Sequence, residues 1–136
     1  MQRLQTRAQF QAVLAGSTVA RTPHFALHRC ALEGSASAGE KAAPLFDQPA
    51  VWLGAMVPKR WAKRAVTRNA IKRQVYNVSS LFEAALPQAA HVVRLRAGFD
   101  RQAFPSASSD ALKAAVRAEL QQLFERSLQG RRPGAA

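Results

Sequence analysis

The sequence predicts a single α/β sandwich, one sheet with helices packed against it, and three observations lead there. The chain has 136 residues, enough for one hydrophobic core and too few for two. Its apolar fraction is 48%, ordinary for a globular protein. Its apolar spacing switches along the chain between a period of two and steps of three and four, so strands and helices alternate and an all-helical bundle is excluded.

Each element follows from its own pattern. Leu4, Ala8, Val13 and Leu14, with Phe10 between them, predict an opening helix that ends near Gly16, a residue suited to a left-handed C-terminal cap. From His24 to Leu32 the alternation predicts a strand with Phe25 and Leu27 on one face and His28 and Cys30 on the other. Residues 33–50, rich in Gly, Ala, Ser and Pro, predict a long exposed loop or distorted hairpin connection, pinned locally by Leu45 and Phe46. Val51 to Val57 is apolar enough for a buried strand, and Pro58 ends it by withholding a ladder donor.

After Pro58 a helix is expected to about Leu86, with an irregular first turn around Trp61. Val66, Ala70, Ile71, Val75 and Val78 fall on one broad side of it, and Pro87 stops it. His91 to Leu95 reads as a short strand with Gly98 at its exit. Serines at 106–109 offer N-caps for a final helix, in which Leu112, Val116, Leu120, Leu123, Phe124 and Leu128 recur at helical steps. The domain is expected to span residues 1–129, followed by a small, basic, disordered tail at 130–136.

Charge points to the partner. Lys and Arg number 20 against 8 acidic residues, a formal charge of +12, which says little about fold and selects for polyanions. Cys30 is the one cysteine, so an intrachain disulfide or thiolate metal cluster is excluded and a buried, inert thiol is expected. No secretory signal pattern opens the chain and no run approaches a membrane span, so the expected location is cytoplasmic, with no membrane partner.

The informative segment runs from Pro58 to Arg73. It holds seven basic residues (Lys59, Arg60, Lys63, Arg64, Arg68, Lys72 and Arg73) and no acid. At 100° per residue, Arg68, Asn69, Lys72 and Arg73 share a face of about 140°, opposite Ile71 and Val75. Arg forks onto phosphate oxygens, Lys offers a point charge, and Asn reaches sugar or base edges. A charge run of mixed sign is often just a solvated face. This one has no carboxylate to neutralise it, which favours contact with RNA or DNA.

Leu53-Gly54-Ala55-Met56-Val57-Pro58-Lys59-Arg60, followed by Lys63-Arg64-Ala65-Val66-Thr67-Arg68-Asn69-Ala70-Ile71-Lys72-Arg73, resembles the signature of the ribonuclease P protein family. There, a strand ending in paired basic residues leads into a helix with an Arg-Asn-Arg-x-Lys-Arg run. A weaker similarity runs from Arg7 to the final helix. The resemblance implies a four-stranded sheet with about three helices and a left-handed βαβ crossover, the ribosomal-protein-S5-domain-2-like fold, which patterning alone would not suggest. Ala70 stands where the family has its second Arg, and Tyr76-Asn77 replace an Arg-Glu.

The same resemblance implies a function. The chain would bind a catalytic RNA, one protein per RNA, and assist it in removing the 5′ leader of precursor tRNA. RNA binding falls to Lys59, Arg60, Lys63, Arg64, Arg68, Asn69, Lys72 and Arg73. A cleft between the sheet and the first helix would take the single-stranded leader, with Phe10, Leu14 (where Phe is frequent), Phe25, His28, Arg94 and Arg96 as its candidate residues. Aromatic rings suit unpaired bases, which stack with little sequence preference. The plainer readings are core packing for Phe10 and Phe25, an ordinary strand histidine for His28, and a solvated strand face for Arg94 and Arg96.

No catalytic set is legible. The eight acids, Glu33, Glu40, Asp47, Glu83, Asp100, Asp110, Glu119 and Glu125, are scattered, and the three histidines form no metal-ligand spacing. The resemblance assigns phosphodiester hydrolysis to the RNA subunit and its Mg²⁺ ions, leaving the protein to screen phosphates and position the substrate. Two other readings are a ribosomal or general RNA-binding protein and a self-sufficient nuclease, the second disfavoured by the scattered acids.

Overall fold

The structure is a computed structural model that describes residues 1–32, 46, 49–99 and 110–129. The elements in chain order are β1 (Gln2–Arg3), α1 (Arg7–Leu14), β2 (Ser17–Arg21), β3 (Phe25–Cys30), β4 (Trp52–Met56), α2 (Ala65–Phe82), β5 (Ala90–Leu95) and α3 (Asp110–Gln129). They form one five-stranded sheet in the order β1-β4-β5-β3-β2. β1 and β5 run parallel to β4, while β3 runs antiparallel to β5 and β2 antiparallel to β3. The expected α/β architecture is present, with five strands in place of four.

Beyond the three strands read from the apolar pattern, the sheet adds β1 and β2. β1 is two residues zipped to the β4 edge, where Gln2 N–H donates to Val51 O and Leu4 N–H to Leu53 O, both at 2.9 Å. β2 is a mostly exposed edge strand with an irregularity between Thr18 and Ala20. Backbone pairing holds both, so neither needs a strong apolar alternation.

Helix α1 begins with a capping box. Thr6 Oγ1 accepts from Gln9 N–H at 3.1 Å and Gln9 Oε1 accepts from Thr6 N–H at 3.1 Å. Its end corrects an expectation: Ala15 caps it in the right-handed region. Gly16 is required because a Cβ there would collide with the Arg29 carbonyl of β3.

Both faces of the sheet are covered. Helices α2 and α3 pack on one face and on each other, α2 over β4 and α3 over β2 and β3, while α1 packs on the opposite face against β3 and β5. The larger core holds Phe25, Leu27, Leu53, Val93 and Leu95 from the strands against Ile71, Val75 and Val78 of α2 and five residues of α3. Those five, Leu112, Val116, Leu120, Leu123 and Phe124, are at most 3% exposed, each contributing about 1.5–3 kcal/mol relative to an exposed side chain. The smaller core under α1 holds Leu4, Val13, Phe46, Trp52, Ala90 and Val92.

The predicted two-face split of β3 therefore holds. Phe46 packs edge-on to Trp52, ring centroids 5.4 Å apart; residues 33–45, with Leu45, lie outside the described residues, as do 47 and 48, the serines at 106–109 and the tail at 130–136.

The basic helix starts later than expected. Pro58 to Arg64 is a turn in which Pro58 O accepts from Trp61 N–H at 3.0 Å and Ala62 N–H at 3.2 Å, and α2 begins at Ala65. Val66 is 51% exposed, so it leaves the packed side that Ala70, Ile71, Val75 and Val78 do form. At the far end a single 3-10 turn, Glu83–Ala85, leads to Leu86 and the stop at Pro87.

Candidate nucleic-acid interface

Two surfaces gather the candidate residues. The first is the Pro58–Arg64 turn and the exposed side of α2. Lys59, Arg60, Lys63, Arg64, Asn69, Lys72 and Arg73 are all exposed, and Arg68 is half-buried. Arg68 Nη1 donates to Ala62 O at 3.0 Å and Lys63 O at 2.8 Å, so its guanidinium fixes the turn that carries its basic neighbours.

The electrostatics of this helix start are unbalanced. Arg64 at the N-cap makes no side-chain capping bond and the first turn holds no acid, although a helix N-terminus favours negative charge. Cations at the positive end of the helix dipole repel locally. An anion such as a phosphate reverses the sign of that arrangement, because backbone N–H groups and cations then point at it together.

Sequence reasoning missed two members of this region. Trp61 is 37% exposed with the Arg60 guanidinium 5.3 Å from its ring centroid; an aromatic inside a basic run was the available signal. Arg3 lies on β1 with its guanidinium 4.0 Å from the Tyr76 ring centroid. It extends the positive surface across from α2, and nothing local in the sequence pairs positions 3 and 76.

The second surface is the α1 face of the sheet. Phe10 and Leu14 are half-buried at the border of the small core. Phe10 lies over Gly54: a Cβ there would meet Phe10 Cε1 at 2.6 Å and Leu4 Cδ1 at 2.8 Å, so the glycine admits the ring. On the same face Arg94 Nε donates to His28 Nε2 at 3.2 Å. Because Nε2 accepts, the neutral ring carries its proton on Nδ1 and donates it to Thr18 Oγ1, 3.1 Å away. Burial, reinforced by the charges of Arg94 and Arg21, holds the His28 pKa below its ordinary value. A neutral imidazole thereby orients the Arg94 guanidinium on this face.

Two expected cleft residues lie elsewhere. Phe25 is 0% exposed in the opposite core, 6.1 Å from the Phe99 ring, because β3 alternation turns it toward α2 and α3. Arg96 lies beyond the end of β5, and its Nη1 donates to Thr22 O at 2.9 Å and Pro23 O at 3.3 Å, clamping the β2–β3 turn. Glu119 holds the same turn from α3, accepting from Thr22 Oγ1 and His24 N–H at 2.6 Å each and contacting His24 Nδ1 at 2.9 Å. Glu119 and His24 are thus accounted for as a tie between helix and sheet.

Cys30 is partly buried on the α1 face, and burial pushes its thiol pKa up, which lowers its reactivity. Among the described residues no three His, Cys, Asp or Glu side chains come together in a metal-holding group, and no helix is long and apolar enough to cross a membrane.

The family model for ribonuclease P matches residues 1–126. The ribonuclease P protein component of Bordetella parapertussis is 38% identical over 125 residues, 91% of this chain and 89% of the relative. That of Ralstonia pickettii is 38% identical over 123 residues, 90% of this chain and 76% of the relative. A Staphylococcus aureus RNase P protein structure superposes with a TM-score of 0.64 at 17% identity, covering 92% of this chain and 94% of the other. A second structure of the S. aureus protein gives a TM-score of 0.54 at 20% identity, covering 93% and 86%. These structures share the fold, and the sequence match carries the kinship: the chain belongs to the ribonuclease P protein family.

Proposed function

We propose that this chain is the protein subunit of a ribonuclease P holoenzyme, binding the catalytic RNA through the head of α2 and the 5′ leader of precursor tRNA along the α1 face of the sheet. The observation that carries the reading is the helix start with cations at its positive end, no cap and no acid. Such a surface is relieved by a polyphosphate backbone. Lys59, Arg60, Lys63, Arg64, Asn69, Lys72 and Arg73 are its contacts, and Arg68 serves mainly to fix the turn.

Phe10, Leu14, His28 and Arg94 supply the leader surface, a ring and aliphatic edge for bases with a fixed cation for phosphate. Phe25 and Arg96 are left out of it on the geometry above. The active site belongs to the RNA partner in this reading. Its Mg²⁺ ions go with the RNA on the family resemblance, and the protein's part is screening and positioning. On the same kinship the β4–α2–β5 unit takes the family's left-handed crossover and ribosomal-protein-S5-domain-2-like fold, and the chain works in the cytoplasm, one protein per RNA.

A general RNA-binding role without processing rests on the same charge and separates by its indifference to the leader. Fluorescence anisotropy with precursor and mature tRNA, in the presence of the catalytic RNA, tests this. The holoenzyme is expected to favour the precursor, and Phe10→Leu to narrow that preference while catalytic-RNA binding persists. Equal affinity for both tRNAs would favour the general role.

A further inference from the structure

Trp61 belongs to neither hydrophobic core and is 37% exposed, whereas the other tryptophan, Trp52, is 6% exposed and packed on Phe46. The backbone that carries Trp61 is fixed independently of the indole. Pro58 O takes both Trp61 N–H and Ala62 N–H, Ala62 is 6% exposed in the core, and Arg68 Nη1 grips the Ala62 and Lys63 carbonyls. The backbone at Gly98 passes close beneath, where a Cβ would lie 3.0 Å from Trp61 O. The turn is therefore fixed by its backbone contacts, while the residue is left partly exposed.

The surroundings bear on what could lie against the ring. Arg60 stands 5.3 Å from the ring centroid, and Lys59, Lys63 and Arg64 are exposed on either side in sequence. A neutral apolar protein surface would have to desolvate these cations for one indole. An unpaired nucleotide matches both features, its base on the ring and its phosphates on the cations.

We propose that Trp61 is a stacking platform for an unpaired base of the RNA partner, the base lying on the indole face away from Arg60. This rests on the RNA-binding reading of the α2 head. It assigns that surface to a junction between duplex and single strand, since a continuous duplex offers no free base face to the ring. The turn then reads strandedness while its charges read phosphate.

The test uses the full chain, a single-stranded oligoadenylate and an RNA duplex of the same length. Single-stranded RNA is expected to quench the exposed tryptophan emission in the wild type, and Trp61→Phe, which leaves only buried Trp52, to abolish the quenching. Trp61→Leu is expected to weaken single-strand binding on the order of tenfold, with duplex affinity and salt slope kept at wild-type values. Trp61→Phe should restore most of the single-strand affinity, which separates a stacking role from a folding one. Unchanged single-strand affinity in Trp61→Leu without quenching in the wild type overturns the proposal while leaving RNA binding intact. Equal losses on both RNAs overturn it as well. No binding of either RNA by the wild type would remove the RNA reading itself.

Discussion

His28 shows how one side chain couples the sheet to the proposed leader surface. Its pKa lies below the ordinary value of 6.5 because burial, and then the charges of Arg94 and Arg21, disfavour the imidazolium. The unfolded chain therefore takes up the proton more readily than the folded one. His28 costs the fold nothing above pH 6.5 and weakens it as pH falls below that value toward the depressed folded-state pKa. The urea midpoint should fall less between about pH 7.5 and about pH 5.5 in His28→Gln than in the wild type; equal falls would mean that His28 is not held buried beside these charges in solution. Gly54 makes a second residue-scale prediction. Gly54→Ala drives a methyl into Phe10 and Leu4 and should cost about 1–3 kcal/mol in urea unfolding by tilting α1 off the sheet. No loss would show that the ring slides outward freely. Of these residues the sequence exposed Phe10 and His28 as candidates, but not their partners. Phe25 was misplaced because β3 is covered on both faces, so strand alternation alone does not say which face belongs to the cleft. Ala70, one helical step from the basic residues, is 7% exposed, so the missing arginine of the family run falls at a packed position.

At the scale of elements, α2 separates charge from packing, and variants should separate them too. Lys72→Ala with Arg73→Ala should leave thermal stability unchanged and lower the slope of log affinity against log salt by about 0.7 to 0.9 per lost phosphate contact. Arg68→Ala should in addition reduce stability, because it releases the Ala62 and Lys63 carbonyls. An unaltered salt slope in the double variant would take α2 out of the interface. The long helices and central strands were legible because each buries a continuous stripe: α3, β3, β4 and β5 appear where their periodicity puts them. β1 and β2 were not, since edge strands are held by backbone bonds and need little apolar pattern. The late start of α2 was hidden for a related reason. Its first turn is built from carbonyls around Pro58 and Arg68 that leave no periodic trace.

For the whole molecule, fold and charge divide the work. A sheet covered on both faces fixes two surfaces relative to each other, a basic one at the start of α2 and the α1 face of the sheet. The +12 charge draws a polyanion to both. In the proposed holoenzyme this rigid spacing is the contribution to catalysis: it sets the leader against the RNA that cuts it. The measurement that tests this most directly is cleavage of a radiolabelled precursor tRNA at low Mg²⁺ by a matched catalytic RNA, with this protein, without it, and with the protein alone. Stimulation only in the mixture, with no cleavage by the protein alone, is the expected result. No stimulation with the matched RNA, or cleavage by RNA-free protein, would contradict it.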